Sequence, residues 1–248
     1  MPEEKNIKLI LEYDGRCYYG WQRQAGMTTI QEVVEEKIKT MTGETVHVIA
    51  SGRTDAGVHA LYQVANFKTG THLPPVTLRK GLNALLPEDI FIKHVEYAPM
   101  DFNSRYNAKS KIYEYRILNR REPDIFLRSY VWHIPMSLNL EKIARCLSQL
   151  LGRHDFSSFK SSGSDVINPV REMTMADVIG PEEGLLRFLF EADGFMRHMV
   201  RNIMGTVVEV GRGKIDVNGF MDIFHSRDRT KAGLKAPPQG LFLKMVKY

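Results

Sequence analysis

Arg53 and Asp55 stand two residues apart in the stretch Gly52-Arg53-Thr54-Asp55-Ala56-Gly57-Val58-His59-Ala60, and their types suggest chemistry. A carboxylate is ionised at neutral pH and can act as a nucleophile without a general base, while a neighbouring guanidinium can hold it in place and keep it charged. The bracketing glycines allow a sharp turn whose main chain another molecule can approach. Taken alone, the same residues also describe an ordinary turn in which Asp55 bonds its own backbone. Tyr113 is an aromatic hydroxyl among basic residues, and by itself reads first as a core or interface tyrosine.

Other chemistries lack their residues. The eight histidines form no HxH or HxxxH pattern, and Cys17 and Cys146 have no metal-ligand spacing. A dinucleotide fingerprint and a Gly-x-Ser-x-Gly nucleophile elbow are both missing, and no second carboxylate pairs with Asp55 in the sequence. Gly211-Arg212-Gly213-Lys214 fails as a phosphate loop, because a helical pattern precedes it and the required spacing is absent. No zinc site and no dinucleotide site is suggested by these residues.

The elements that must position Arg53 and Asp55 are legible in the flanking pattern. Ile7, Leu9, Leu11 and Tyr13 alternate with polar neighbours before Asp14-Gly15, which predicts a strand and a turn. In Cys17 to Gln24, three aromatics with Gln and Arg can stack on bases, although core packing is the better expectation for some of them. Thr29-x-x-Glu32 is a capping box opening a helix through Ile30, Val33, Val34, Ile38 and Met41. Strands over 46–50 and 63–68 put the Asp55 stretch in an inter-strand loop, and a helix over 77–86 and a strand over 90–97 follow. The order is βαββαβ, a ferredoxin-like plan common in RNA-binding domains.

The second half repeats the mixture. Tyr113, Tyr115 and Ile117 share one face of a strand over 111–119, and a helix follows over 138–151. Residues 154–168, rich in Ser and Gly, predict a mobile surface loop. A hairpin joins 172–179 to 185–192. A helix over 195–210 has an apolar side and a polar side of Arg197, His198, Arg201 and Asn202, with Arg197 and Arg201 at i, i+4 spacing, where an anion or plain solvation would relieve their repulsion. A short helix over 219–225 and a strand over 240–247 end the chain. The fold class expected is α+β: two ferredoxin-like, RRM-like lobes, 1–103 and 104–248, sharing a continuous and mainly antiparallel sheet, with helices on one side and a basic cleft between the lobes.

Charge points to a polyanionic partner. The net charge is +5, yet residues 195–248 hold ten Lys/Arg against four Asp/Glu, so they carry +6 and the rest −1. A second basic stretch, 103–128, has seven Lys/Arg and three acids. Nucleic acid is the leading candidate, with a solvated basic face as the alternative. No stretch is long and apolar enough for a membrane span, no secretory start is visible, and two unpaired cysteines fit a reducing cytoplasm.

Gly52 to Ala60 closely resembles the signature of the tRNA pseudouridine synthase A family. Five further blocks resemble that family in order: Glu12 to Gly15 with Tyr19 to Gln24, Phe102 to Arg105, Lys111 to Tyr115, Phe195 to Asn202, and Ala236 to Leu243. The resemblance covers essentially the whole chain and implies isomerisation of uridine to pseudouridine in the anticodon stem-loop of tRNA, at family positions 38, 39 and 40. It implies no cofactor and no metal, and a homodimer acting on tRNA. By matching position it makes Asp55 the nucleophile, Arg53 its partner and an aid to base flipping, and Tyr113 the tyrosine packed on the target base. Arg105, Arg197, His198 and Arg201 become phosphate contacts, and Leu243 a substrate contact. A non-catalytic binder of structured RNA is the alternative, but it leaves a carboxylate in basic surroundings unexplained. A base deaminase would need a His/Cys zinc signature, which is missing.

Overall fold

The computed structural model describes residues 3–161 and 168–248. The chain is α+β, and among the described residues there are ten strands, most of them paired antiparallel, and five α-helices. It divides into two compact units, Met1–Lys109 with Leu243–Tyr248, and Ser110–Phe242. The first boundary lies after Lys109 rather than after residue 103. Residues 99–104 are tied into unit 1 by Asn6 Nδ2, which donates to Pro99 O and Phe102 O, by Ser104 Oγ donating to Ile49 O, and by Tyr248 Oη donating to Ser104 O.

In unit 1 the order is β1 (Lys5–Tyr13), α1 (Ile30–Thr42), β2 (Ile49–Ala50), β3 (His59–Thr69), α2 (Pro75–Leu85) and β4 (Ile90–Ala98). β1 lies between β4 and β3, antiparallel to both, and β2 pairs antiparallel with β3, which is the ferredoxin-like plan the βαββαβ pattern predicts. Thr29 Oγ1 accepts from Glu32 N–H at the start of α1, and Gly43 closes the helix at φ 76. Ile7, Leu9 and Leu11 of β1, with Ile30, Val34 and Ile38 of α1 and Leu78 and Leu82 of α2, are wholly buried in this unit's core. α2 starts at Pro75, two residues before the predicted Thr77, because a proline at the first helical position loses no needed donor. β3 starts at His59 rather than residue 63, which shortens the loop carrying Asp55.

In unit 2 the order is β5 (Ser110–Leu118), β6 (Trp132–His133), α3 (Leu140–Ser148), β7 (Gly152–Asp155), β8 (Val170–Glu182), β9 (Leu185–Ala192), α4 (Met199–Gly211) and α5 (Val217–His225). Its strands run β5-β9-β8-β7, with the short β6 parallel to β5. Residues 154 and 155, expected in the loop, belong to edge strand β7, and Ser157–Phe159 form a short 3-10 turn; residues 162–167 of the predicted mobile stretch lie outside the described residues. β10 (Leu241–Lys247) ends the chain, and its residues from Leu243 onward count with unit 1 next to β3. No helix among the described residues is long and apolar enough to cross a membrane.

Candidate active site

Asp55 sits in the loop between β2 and β3, and that loop is gripped from below. Val58 N–H donates to Asp55 O at 3.1 Å, and Gly57 takes φ 75 in this turn, a backbone region that favours glycine. Gly52 does not adopt a left-handed φ; its carbonyl accepts instead from Gln63 Nε2 at 2.9 Å. The Gln63 Oε1 accepts from Ser51 Oγ at 2.7 Å, and Tyr13 Oη meets Thr54 Oγ1 at 2.8 Å. Ser51, Thr54, Gln63 and Tyr13 are all buried, so the side of the loop before Asp55 is pinned by a polar network in the core of unit 1.

The segment after β1 grips the other side. Trp21 N–H donates to Thr54 O at 3.0 Å, and Gly57 N–H to Tyr18 O at 3.3 Å. A Cβ on Gly15 would lie 2.0 Å from Val58 O, and one on Gly20, at φ 85, would lie 2.5 Å from Thr54 O. His59 Nδ1 lies 3.1 Å from Asp14 Oδ1 and 3.2 Å from Gly15 N, which binds the start of β3 to the same segment. Tyr18 and Trp21 are core residues, while Tyr19 is 53% exposed, so the aromatic cluster is mostly packing. Asp55 is half-buried at the turn. Arg53 is exposed and makes no ion pair among the described residues, so the guanidinium does not clamp the carboxylate as the spacing suggested.

Burial pushes the Tyr13 phenol up to about 12, against the smaller opposing effect of its hydrogen bonds to Thr54 and Gln63. The hydroxyl therefore stays a neutral splint for the loop. Tyr13→Phe leaves Thr54 without this partner and is expected to cost about 1–3 kcal/mol in urea unfolding at neutral pH. The unfolded phenol ionises near its model value of 10.0 and the folded one only near 12. Stability from this group is thus complete below pH 10 and lost as pH rises through 12, so the wild-type advantage over the variant should shrink across that window. An advantage constant from pH 8 to 12 would contradict the buried splint.

In unit 2, Tyr113 is buried in β5 opposite Phe190, and its ring meets Phe195 edge-on at 5.0 Å and 81°. Phe195 and Arg197 lie before α4 rather than in it. His198 takes φ 63, which delays the helix to Met199 and removes the expected i, i+4 pairing of Arg197 with Arg201. Arg197 is exposed, and its carbonyl accepts from Ser161 N–H.

The expected polar side of this helix is not a solvent face. Arg201 and Asn202 are 6% and 1% exposed. Arg201 Nε donates to Ala236 O at 2.8 Å, Ala236 N–H returns a bond to Arg201 O at 3.0 Å, and Arg229 Nη2 donates to Asn202 Oδ1 at 3.0 Å. Gly233 N–H donates to Thr206 Oγ1 at 3.0 Å, while a Cβ on Gly205 would lie 1.6 Å from Leu234 O. Tyr115 Oη donates to Pro237 O at 2.8 Å, and burial pushes its pKa far up. Arg201 is therefore corrected from an expected phosphate contact on an open face to a clasp for the 229–240 segment, because a loop without ladder bonds needs donors for its buried carbonyls. Arg229, Thr206 and Gly205 belong to that clasp and carry no motif that marks them in sequence.

Arg105 is exposed in unit 1, with its guanidinium 5.5 Å from the Tyr106 ring centre. Leu243 is 0% exposed in β10, so it is corrected from a substrate contact to a core residue, with no surface to offer a ligand. Arg53, Asp55 and Arg105 thus belong to unit 1, and Tyr113, Arg197, His198 and Arg201 to unit 2.

The model of a family described as tRNA pseudouridine synthase matches residues 9–107 and 147–248, which include Arg53, Asp55, Arg105, Arg197, His198 and Arg201 but not Tyr113. The chain belongs to the tRNA pseudouridine synthase family. As a tRNA pseudouridine synthase it is an isomerase, and it is similar over nearly its whole length to bacterial relatives named tRNA pseudouridine synthase A. It is 47% identical to that of Thermoanaerobacter sp. (strain X514), over 98% of this chain and 100% of the relative. The figure is 46% for Acetivibrio thermocellus with the same coverage, and 44% for Geobacillus sp. (strain WCH70) over 98% of both. In this synthase the loop of residues 51–58 and the clasped segment of residues 229–240 are therefore parts of an RNA-modifying enzyme.

Proposed function

We propose that this enzyme isomerises uridines of the tRNA anticodon stem-loop, at family positions 38, 39 and 40, with Asp55 as nucleophile. The N1–C1′ bond of the uridine breaks, a C5–C1′ bond forms, N1 gains a proton and the C5 hydrogen leaves to solvent. Asp55 attacks C1′ of the ribose or C6 of the uracil, and either route frees the base to rotate. Tyr113 packs on the target base, and the exposed Arg53 fills the space the flipped uridine leaves. Arg105, Arg197 and His198 contact phosphates. The enzyme works as a homodimer, as the resemblance implies, and in the cytoplasm, which its two cysteines suit.

The observation that carries the reading is the position of Asp55. A half-buried carboxylate stands at the turn of a loop held on one side by the buried Ser51 and Thr54 and on the other by the bonds of Gly57 and His59 to the segment after β1. A surface turn needs no such support, whereas a nucleophile gains from being held close to its reacting geometry. The test is tritium release from unmodified tRNA labelled at uridine C5, with no added metal or cofactor. We expect release in proportion to anticodon-arm uridines; its absence at every one of them would sink the proposal.

A further inference from the structure

At the outer edge of unit 2, β7 and the end of α5 enclose a cavity of about 460 Å³ lined by Arg153, His154, Asp155, Phe224, His225 and Arg227. Its charge is arranged rather than scattered. Asp155 has both oxygens engaged, Oδ1 accepting from Ser157 N–H at 2.9 Å and Oδ2 pairing with Arg227 Nε at 3.2 Å. The carboxylate therefore acts as a splint for one guanidinium. Arg227 is also held in a left-handed backbone conformation, φ 54, that a side chain of its size rarely adopts. Arg153, the other arginine, is exposed and has no ion-pair partner among the described residues.

The two imidazoles are fixed as well. His154 Nε2 lies 2.7 Å from Leu151 O, so that nitrogen carries the proton and donates. Its ring meets Phe224 edge-on at 5.5 Å, and His225 lies parallel to the same Phe224 ring at 5.8 Å and 17°. Two guanidinia against one engaged carboxylate leave the hollow positive even with both imidazoles neutral, and its size suits a small polar ligand.

We propose that this hollow holds a phosphate group of the bound RNA, away from the target uridine. The proposal rests on the RNA-modifying reading above. The sheet order β5-β9-β8-β7 puts β7 three strand spacings, about 14 Å, from the strand that carries Tyr113. A phosphate bound here anchors the substrate outside the reacting nucleotide, so its loss weakens binding without touching the chemical step. None of its six residues falls in the blocks that resemble the family signature.

The experiment compares wild type with the Arg153→Gln/Arg227→Gln double variant of the full chain, using unmodified tRNA labelled with tritium at uridine C5. We expect tRNA affinity to fall about tenfold at moderate salt and the slope of log K against log[salt] to lose about 1, the share of one phosphate. The release rate at saturating tRNA should stay within about twofold. Arg153→Gln alone, which leaves the Asp155–Arg227 pair intact, should lose part of the affinity and serves as the variant least able to disturb folding. Inorganic phosphate, added to wild type and followed through the His154 and His225 NMR resonances, should shift both, and the shifts should vanish in the double variant. An unchanged affinity and salt slope would overturn the proposal. So would phosphate binding with no effect on tRNA, which would make the hollow a site for free phosphate. Because the salt slope is read from binding, it tests this site even if no tritium is released and the catalytic reading fails.

Discussion

Replacing Asp55 with Ala abolishes tritium release from uridine-labelled tRNA, by a factor of at least about 10⁴, while tRNA affinity stays within about threefold. The size follows from the role proposed for it, since an enzyme that loses its nucleophile keeps only what binding and electrostatics supply. The direction of the binding effect follows from the site. Asp55 is half-buried at a turn, and the loop is held through the Thr54 and Asp55 carbonyls and the buried Ser51, Thr54 and Gln63 rather than through its own core packing. Removing the carboxylate also takes a negative charge away from a polyanion, so the truncated protein does not lose affinity for want of attraction. Thermal unfolding should confirm that the variant is folded. Activity within tenfold of wild type would assign the nucleophile elsewhere; loss of tRNA binding together with activity would make Asp55 a structural residue.

Gly15→Ala should be nearly as damaging, for a reason that involves no charge. The new methyl would lie 2.0 Å from the Val58 carbonyl oxygen, and the obstacle is backbone, which cannot swing aside as a side chain can. Gly15 does not occupy the left-handed region, so the whole effect is collision rather than strained φ. Relief requires moving the Asp14–Tyr18 segment or the Val58 end of the turn that starts at Asp55, at an expected cost of about 2–4 kcal/mol. A displacement of about 1 Å in the turn is enough to cost about 100-fold in rate. We therefore expect a lower melting temperature together with a fall in single-turnover tritium release that persists at temperatures where the variant is fully folded. Unchanged release from the folded variant would show that the segment after β1 does not position the turn.

These two residues also mark what kind of information each level carries. Local composition left Asp55 as an ordinary turn residue, and it became a candidate nucleophile through the resemblance of its stretch and five further blocks in order. Gly15 could be read only as part of the turn after a strand and of a block that resembles the family. Its reason is Val58, forty-three positions away, and the contact exists because β1 and β3 are antiparallel neighbours. The same holds for Tyr13 and Thr54, and for Gln63 and Ser51: each pair is a cross-strand or strand-to-loop meeting that no spacing rule announces.

Arg201 shows the opposite error. Helical periodicity placed it with Arg197 on a polar side, because a guanidinium normally belongs in water. The helix starts later than its pattern, behind the left-handed His198, and the 229–240 segment folds over its first turns, so the guanidinium is buried and spends a donor on Ala236 O. Leu243 misleads for a related reason, since a residue inside a functional block can be there to build the strand rather than to touch substrate.

The sequence by itself determined the α+β class, the βαββαβ order of the first unit, the start of α1 and the family, because alternation, capping and contiguous motifs are local properties that short-range forces enforce. Only the tertiary structure decided which polar residues are splints and which face outward, and that the hollow at β7 gathers Arg153 and Arg227 from distant parts of the chain. Burial and steric contact between segments far apart in sequence are set by strand pairing and helix packing, so those roles come into being only once the chain has folded.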